Sequence, residues 1–186
     1  MEIGLFSRKH RKEQFEQLAA EHERRVYAAC FHMMGNREDA LDCAQETMLR
    51  AFRAFESFRR DAQFSTWITK IAMNVCVDAL RKRRDALSLD ALREETGYDV
   101  ADERKNVYAA LEEKERKRLL REALSQLPSD MRQMIVLRDM QGMSYDEIAE
   151  VLDMPLGTVK SRLNRAREKL CVILKKSSEL FSSRSV

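Results

Sequence analysis

Two prolines and five glycines in 186 residues leave this chain almost without turn-forming residues. Glycine gives access to left-handed turn conformations and proline pre-sets turn angles. A sandwich or barrel of many short strands therefore has no means of turning its corners here. The same scarcity excludes a glycine-rich phosphate loop. A few long helices joined by few breaks fit the sequence, and the 44% hydrophobic share is ordinary for a chain that folds. The expected class is all-α.

Apolar spacing divides the helices into two groups. Phe15, Leu18, His22, Val26, Cys30 and Met33 recur at helical intervals and predict a helix over 13–34. Gly35 follows where a left-handed C-cap belongs. Asn36 and Asp39 then have the spacing of a capping box. A second helix is expected to about Phe55, with Leu41, Ala44, Met48, Ala51, Phe52 and Phe55 inward and Asp39, Asp42, Glu46, Arg50 and Arg53 outward. A third, from about Ser65 to Arg83, places Trp67, Ile68, Ile71, Ala72, Val75 and Ala79 on a core face. These three helices form a first domain over 13–84.

Residues 85–117 are charge-rich and lack regular apolar spacing, so they read as a linker with some helix near 106–118. About thirty coil residues span on the order of 30 Å, enough for two modules to sit apart on one large partner. A second domain over 118–172 follows, and 173–186 is a Ser-rich tail. Pro128 ends a helix carrying Leu120, Ala123, Leu124 and Leu127. Met131, Met134, Ile135 and Leu137 mark the next. Ser144 and Glu147 form a capping box, Ile148, Ala149 and Leu152 face inward, and Asp153-Met154-Pro155 turns the chain. The last helix sets Val159, Leu163, Ala166 and Leu170 in one stripe.

A short helix, a three-residue turn and a longer basic helix make a helix-turn-helix. Opposite the Val159 stripe lie Ser161, Asn164, Arg165 and Glu168, with Lys160, Arg162, Arg167 and Lys169 on the shoulders. Short or forked polar groups at the tip suit base edges, and cations on the shoulders suit phosphates. On the third helix Thr66, Lys70, Met73, Asn74 and Arg81 gather away from the expected core. Arg59, Arg60, Asp61 and Phe64 fill the loop before it. Cations, an amide and an aromatic beside a loop fit single-stranded nucleic acid. Core packing is the competing reading for Phe64 and the preferred one for Trp67, and Asn74 also fits as a plain surface residue.

Other chemistries find little support. His10, His22 and His32 form no HExxH pair, and there is no Gly-x-Ser-x-Gly elbow. Cys30, Cys43, Cys76 and Cys171 lack CxxC spacing and read as buried thiols. No metal or other cofactor is expected, nor catalysis. No apolar run reaches the roughly 18 residues of a membrane span, and the first residues lack a signal-peptide core, so a cytoplasmic protein is expected.

Asp39-Ala40-Leu41-Asp42, Ala44-Gln45-Glu46 and Arg50-Ala51-Phe52 form one motif block. Phe64-Ser65-Thr66-Trp67-Ile68 with Ile71-Ala72 and Asn74 forms a second. Gly157-Thr158-Val159-Lys160-Ser161-Arg162-Leu163 with Arg165-Ala166-Arg167 forms a third. Together, in this order, they resemble the bacterial extracytoplasmic-function (ECF) sigma factors over about 13–84 and 118–172. The resemblance implies region two and region four of that family and promoter-specific transcription initiation. It implies core RNA polymerase as partner, through the beta-prime clamp and beta flap, with Asp39, Asp42, Gln45, Glu46 and Arg50 at the clamp. Arg59, Arg60, Asp61, Phe64, Thr66, Lys70, Asn74 and Arg81 would capture the melted minus-ten element. Thr158, Lys160, Ser161, Arg162, Asn164, Arg165 and Arg167 would read the minus-thirty-five element. The resemblance also implies an anti-sigma factor; the chain is expected to be a monomer when free. Leu41 and Cys43 stand where the family often has an acid and an aliphatic residue, and Asn164 occupies a variable position. A dimeric DNA-binding regulator and a protein-only helical adaptor remain as alternatives, separated by gel filtration and by a promoter-binding assay with core polymerase.

Overall fold

The structure is a computed structural model and describes residues 2–58, 63–87 and 107–182. Seven α-helices run through these segments, and the described residues contain no strand. Helix α1 (Glu2–Met34) starts well before the expected position and ends at Gly35, whose φ of 82° supplies the left-handed C-cap. Asn36 caps α2 (Arg37–Ala54) by accepting from the Asp39 amide at 2.9 Å. The return bond of a capping box is replaced by Asn36 Nδ2 donating to the Asp39 carboxylate at 2.8 Å. A single 3-10 turn (Phe55–Ser57) closes α2, and α3 (Phe64–Leu87) completes the first bundle.

Helix α2 lies about a quarter turn from its expected orientation. Its buried residues are Ala40, Cys43, Thr47 and Ala51, while Leu41, Leu49 and Phe52 are 40%, 52% and 46% exposed. Small side chains allow α2 to approach α1 and α3 closely, which packs more atoms per unit length than a wider Leu and Phe stripe would. Thr47 tolerates burial because its hydroxyl donates to the Cys43 carbonyl at 2.6 Å. Cys30, Cys43 and Cys76 are all buried, one from each helix. Cys171, also expected to be buried, is exposed on the last helix, whose neighbouring Leu170 and Ile173 face the core instead.

The second bundle comprises α4 (Val107–Ser125), α5 (Ser129–Ile135) with a π-helical turn (Val136–Met140), α6 (Tyr145–Leu152) and α7 (Leu156–Ser182). Gly142 adopts φ 68° in the turn before α6. The expected linker overlaps the helices at both ends, since α3 runs to Leu87 and α4 begins at Val107; its middle lies outside the described residues, as does the end of the tail.

The two bundles do not sit apart. Helix α1 lies against α4, α5 and the π-turn, and α3 lies against α5 and α6. Buried residues of both bundles, from Phe15 to Ala166, form one continuous core cluster.

Candidate functional site

Three surfaces bear polar side chains with work to do. The first is the outer face of α2. Asp42 and Gln45 are exposed, with Leu49 one turn further on. Glu46 and Arg50 pair at 2.7 Å, which holds the Glu46 carboxyl below its ordinary pKa and raises that of the Arg50 guanidinium. Arg50 also reaches Asp78 of α3 at 3.5 Å, and Asp39 accepts from Arg83 of α3 at 3.0 Å. These solvent-screened pairs contribute little to stability, so an incoming partner exchanges them cheaply. Leu41, Leu49 and Phe52 make this face amphipathic, where the sequence pattern had placed Leu41 and Phe52 in the core. Between α1 and α2 lies an apolar groove of about 600 Å³ lined by Tyr27, Leu41, Met48, Leu49 and Phe52 among others.

The second surface belongs to α3 and the segment before it. Phe55, Phe58, Phe64 and Trp67 form an aromatic cluster with ring centroids 4.9–6.4 Å apart, and Phe15 joins it edge-on. Phe58 and Phe64 flank the loop that carries Arg59, Arg60 and Asp61, three residues outside the described ones. The cluster thus fixes Phe58 and Phe64, the aromatics on either side of those residues in the chain. Phe64, expected to meet a base, is 8% exposed, and Thr66 is 3% exposed. Phe64 packs as a core aromatic and Thr66 lies inside the packed flank of α3, so neither side chain stands on the open face where the sequence pattern had placed it. Asn74 and Arg81 are exposed and Lys70 is half-buried. Asp78, which the sequence pattern did not single out, donates order by accepting from Arg81 at 3.1 Å while it meets Arg50. Met73, expected on the open face, is fully buried.

The third surface is the helix-turn-helix. Ser144 and Glu147 form the complete capping box of α6: the Ser144 hydroxyl accepts from the Glu147 amide at 3.2 Å and Glu147 accepts from the Ser144 amide at 2.7 Å. Hydrogen bonding from Ser144 to the Glu147 carboxylate, first from its backbone amide and then from its hydroxyl, lowers the Glu147 pKa. Asp153, at φ 52°, ends α6 in the left-handed region that Asp tolerates. Pro155 then precedes the first turn of α7, where its carbonyl accepts from Thr158 at 2.8 Å and Val159 at 3.1 Å. Val159, Leu163 and Ala166 are buried, and Lys160, Ser161, Arg162, Asn164 and Arg165 are exposed on the far side. Thr158 is half-buried, and its carbonyl accepts from Ser161 at 3.0 Å. Arg167 makes two bonds to Asp139 of the π-turn, one at 3.1 Å, so it braces the bundle as well as standing on the shoulder of α7.

Residues 18–86 match the sigma-70 region 2 family and residues 117–170 the sigma-70 region 4 family. The chain is 35% identical to the ECF RNA polymerase sigma-E factor of Haemophilus influenzae over 162 residues, covering 84% of this chain and 85% of that one. It is also 35% identical to the ECF RNA polymerase sigma factor SigW of Bacillus subtilis, over 78% of this chain and 81% of that one. The chain belongs to the ECF RNA polymerase sigma factors. Among solved structures, this sigma factor resembles CnrH, determined in complex with the cytosolic domain of CnrY, with TM-score 0.63 and 29% identity over 89% of this chain and 90% of that one. It shares the fold of the sigma factor RpoE in complex with the anti-sigma factor NepR from Bartonella quintana, with TM-score 0.71 and 24% identity over 88% and 98% of the two chains. Its activity is promoter-specific transcription initiation, with RNA polymerase and promoter DNA as partners. No helix among the described residues is long and apolar enough to cross a membrane.

Proposed function

We propose that the three surfaces divide the work of initiation. The α2 face docks on the beta-prime clamp of core polymerase through Asp42, Gln45 and Glu46, with Leu49 at their centre. Asp39, Asp42 and Glu46 would repel DNA phosphate, whereas a carboxylate face with an apolar residue suits a basic protein partner. The observation that carries this assignment is the orientation of α2: it buries its small residues and turns Leu49, 52% exposed, outward among those polar groups.

Lys70, Asn74 and Arg81, with the loop residues Arg59, Arg60 and Asp61, hold the melted minus-ten strand. Lys160, Ser161, Arg162, Asn164 and Arg165 read the minus-thirty-five duplex, Thr158 lies beside them at the start of α7, and region four meets the beta flap. The protein acts in the cytoplasm and makes no bond itself; the polymerase does the chemistry. An anti-sigma factor regulates it, a reading supported by the complex of RpoE with the anti-sigma factor NepR.

Reconstitution with bacterial core polymerase on genomic DNA of the source organism, with mapping of transcript starts, tests this reading. Starts that depend on the added chain are expected. Arg165→Ala should reduce them while polymerase binding survives, and Asp42→Arg with Glu46→Arg should abolish binding. Unchanged transcription by both variants would remove the assignment of faces.

A further inference from the structure

Three free thiols meet inside the first bundle and take no part in docking or DNA contact. Cys30 comes from α1, Cys43 from α2 and Cys76 from α3. Cys76 shares side-chain hydrogen bonds with both of the others, so it stands between them. Thiols already in hydrogen-bond contact are joined by side-chain rotation and a small approach of their helices, without unfolding.

The three differ in access and in acidity. Cys30 and Cys76 are 0% exposed, whereas Cys43 is 5% exposed and is the one that solvent reaches. The hydrogen bond from Cys76 lowers the Cys43 pKa, and the Arg50 charge acts in the same direction, against burial and the Asp39 and Asp42 charges. Cys76, bonded to Cys30 and Cys43 and then buried, has its pKa raised. One thiol is thus disposed to lose its proton and its neighbour to keep it. A thiolate is the form that attacks a peroxide, and an adjacent thiol resolves the product.

The place of this pair in the fold gives a bond between them a consequence. Asp39 meets Arg83 at 3.0 Å and Arg50 meets Asp78 at 3.5 Å, two ties between α2 and α3 on either side of Cys43 along α2. Ala40, Thr47 and Ala51 are buried on the same stripe as Cys43, so the helices are already closely packed there. A packed contact of this kind transmits strain instead of absorbing it. Drawing Cys43 toward Cys76 therefore shifts α2 against α3, and Asp42, Gln45, Glu46 and Leu49 shift with it.

We propose that Cys43 and Cys76 form an oxidation site for hydroperoxides, and that the disulfide they make turns the α2 face out of register for polymerase. In the first step the Cys43 sulfur attacks one oxygen of hydrogen peroxide. The O–O bond breaks, one water leaves, and Cys43 becomes a sulfenic acid. In the second step the Cys76 sulfur attacks the Cys43 sulfur. The S–O bond breaks, and the hydroxyl leaves as a second water with the Cys76 proton. Two thiols and one peroxide give one disulfide and two waters; the thiols lose two electrons and the peroxide gains them. A dithiol reverses the change by exchange. The consequence for docking rests on the reading of the α2 face above.

The test uses the full chain with Cys171→Ser, which removes the exposed thiol and its links between chains. The chain is treated with about one molar equivalent of hydrogen peroxide, alkylated and digested without reductant. Mass spectrometry should find the Cys43 and Cys76 peptides joined; their absence, with peroxide consumed, overturns the proposal. The oxidised chain should bind core polymerase roughly fivefold or more weakly, and dithiothreitol should restore binding. Cys43→Ala in the same background should bind polymerase normally and keep that binding after peroxide. A joined chain that binds within about twofold of its reduced form overturns the proposal. So does a loss that Cys43→Ala shares or that dithiothreitol leaves in place, since sulfoxides among the 10 methionines then account for it. A reduced chain that fails to bind polymerase overturns the docking reading instead, while the joined peptides still decide the thiol site.

Discussion

Replacing Arg132 with methionine isolates the polar contact between the two bundles, because methionine keeps the length and apolar body of the side chain while removing its five donors. Arg132 serves three carbonyls, and those of Met33 and Leu127 belong to buried residues. An orphaned buried acceptor costs about 1–3 kcal/mol, so two give roughly 2–6 kcal/mol. Against this, the variant no longer holds a cation out of water, and such relief returns part of the loss. The net expectation is about 2–4 kcal/mol of destabilisation. For a chain of this size that lowers Tm by roughly 5–15 °C. Calorimetry and urea unfolding measure it, and small-angle scattering should show a larger radius of gyration in the variant as the bundles separate. Arg132→Lys should fall between, since an ammonium cannot span three carbonyls with a planar fork. An Arg132→Met chain as stable and as compact as the parent would refute the reasoning: the guanidinium would then be tolerated in the interface without holding it.

Three further outcomes follow from other sites. Ser144→Ala removes half of the α6 capping box and should cost about 1 kcal/mol, read as a Tm lower by roughly 2–4 °C. His32 has its pKa lowered from 6.5 by burial and then by the nearby Arg121 charge, so the folded state binds fewer protons than the unfolded chain below that value. Stability is therefore fully present above pH 6.5 and declines as pH falls, with a slope of at most about 1.4 kcal/mol per pH unit from this group; His32→Gln should remove that component of the pH dependence of urea unfolding. Leu49→Ala should leave Tm nearly unchanged, because the side chain is half exposed, yet weaken core-polymerase binding by about fivefold or more in a titration of labelled chain.

Local features were legible wherever near neighbours in sequence determine them. The glycine stop of α1, the Ser144–Glu147 box and the Val159–Leu163–Ala166 stripe depend on spacings of three or four residues, and each has its expected place. The polar face of α7 was legible for the same reason. The orientation of α2 was not. A helical wheel ranks side chains by hydrophobicity, and Leu41 and Phe52 outrank Ala40, Cys43 and Thr47. Packing against two neighbouring helices selects for small size as well, and it rotated the stripe.

What the sequence alone determined is therefore the helical class, the caps, the helix-turn-helix and the motif blocks of an ECF sigma factor. These rest on short-range backbone preferences and on periodicity, both of which act within one helix. Only the tertiary structure decided which face of α2 is open, that Phe64 packs inside an aromatic cluster, and that the two bundles close on one another. The bond from Arg132 to Met33 joins residues 99 positions apart. A buried arginine and the carbonyl end of a distant helix carry no mark in the chain of belonging together; the packing of the surrounding core brings them into reach.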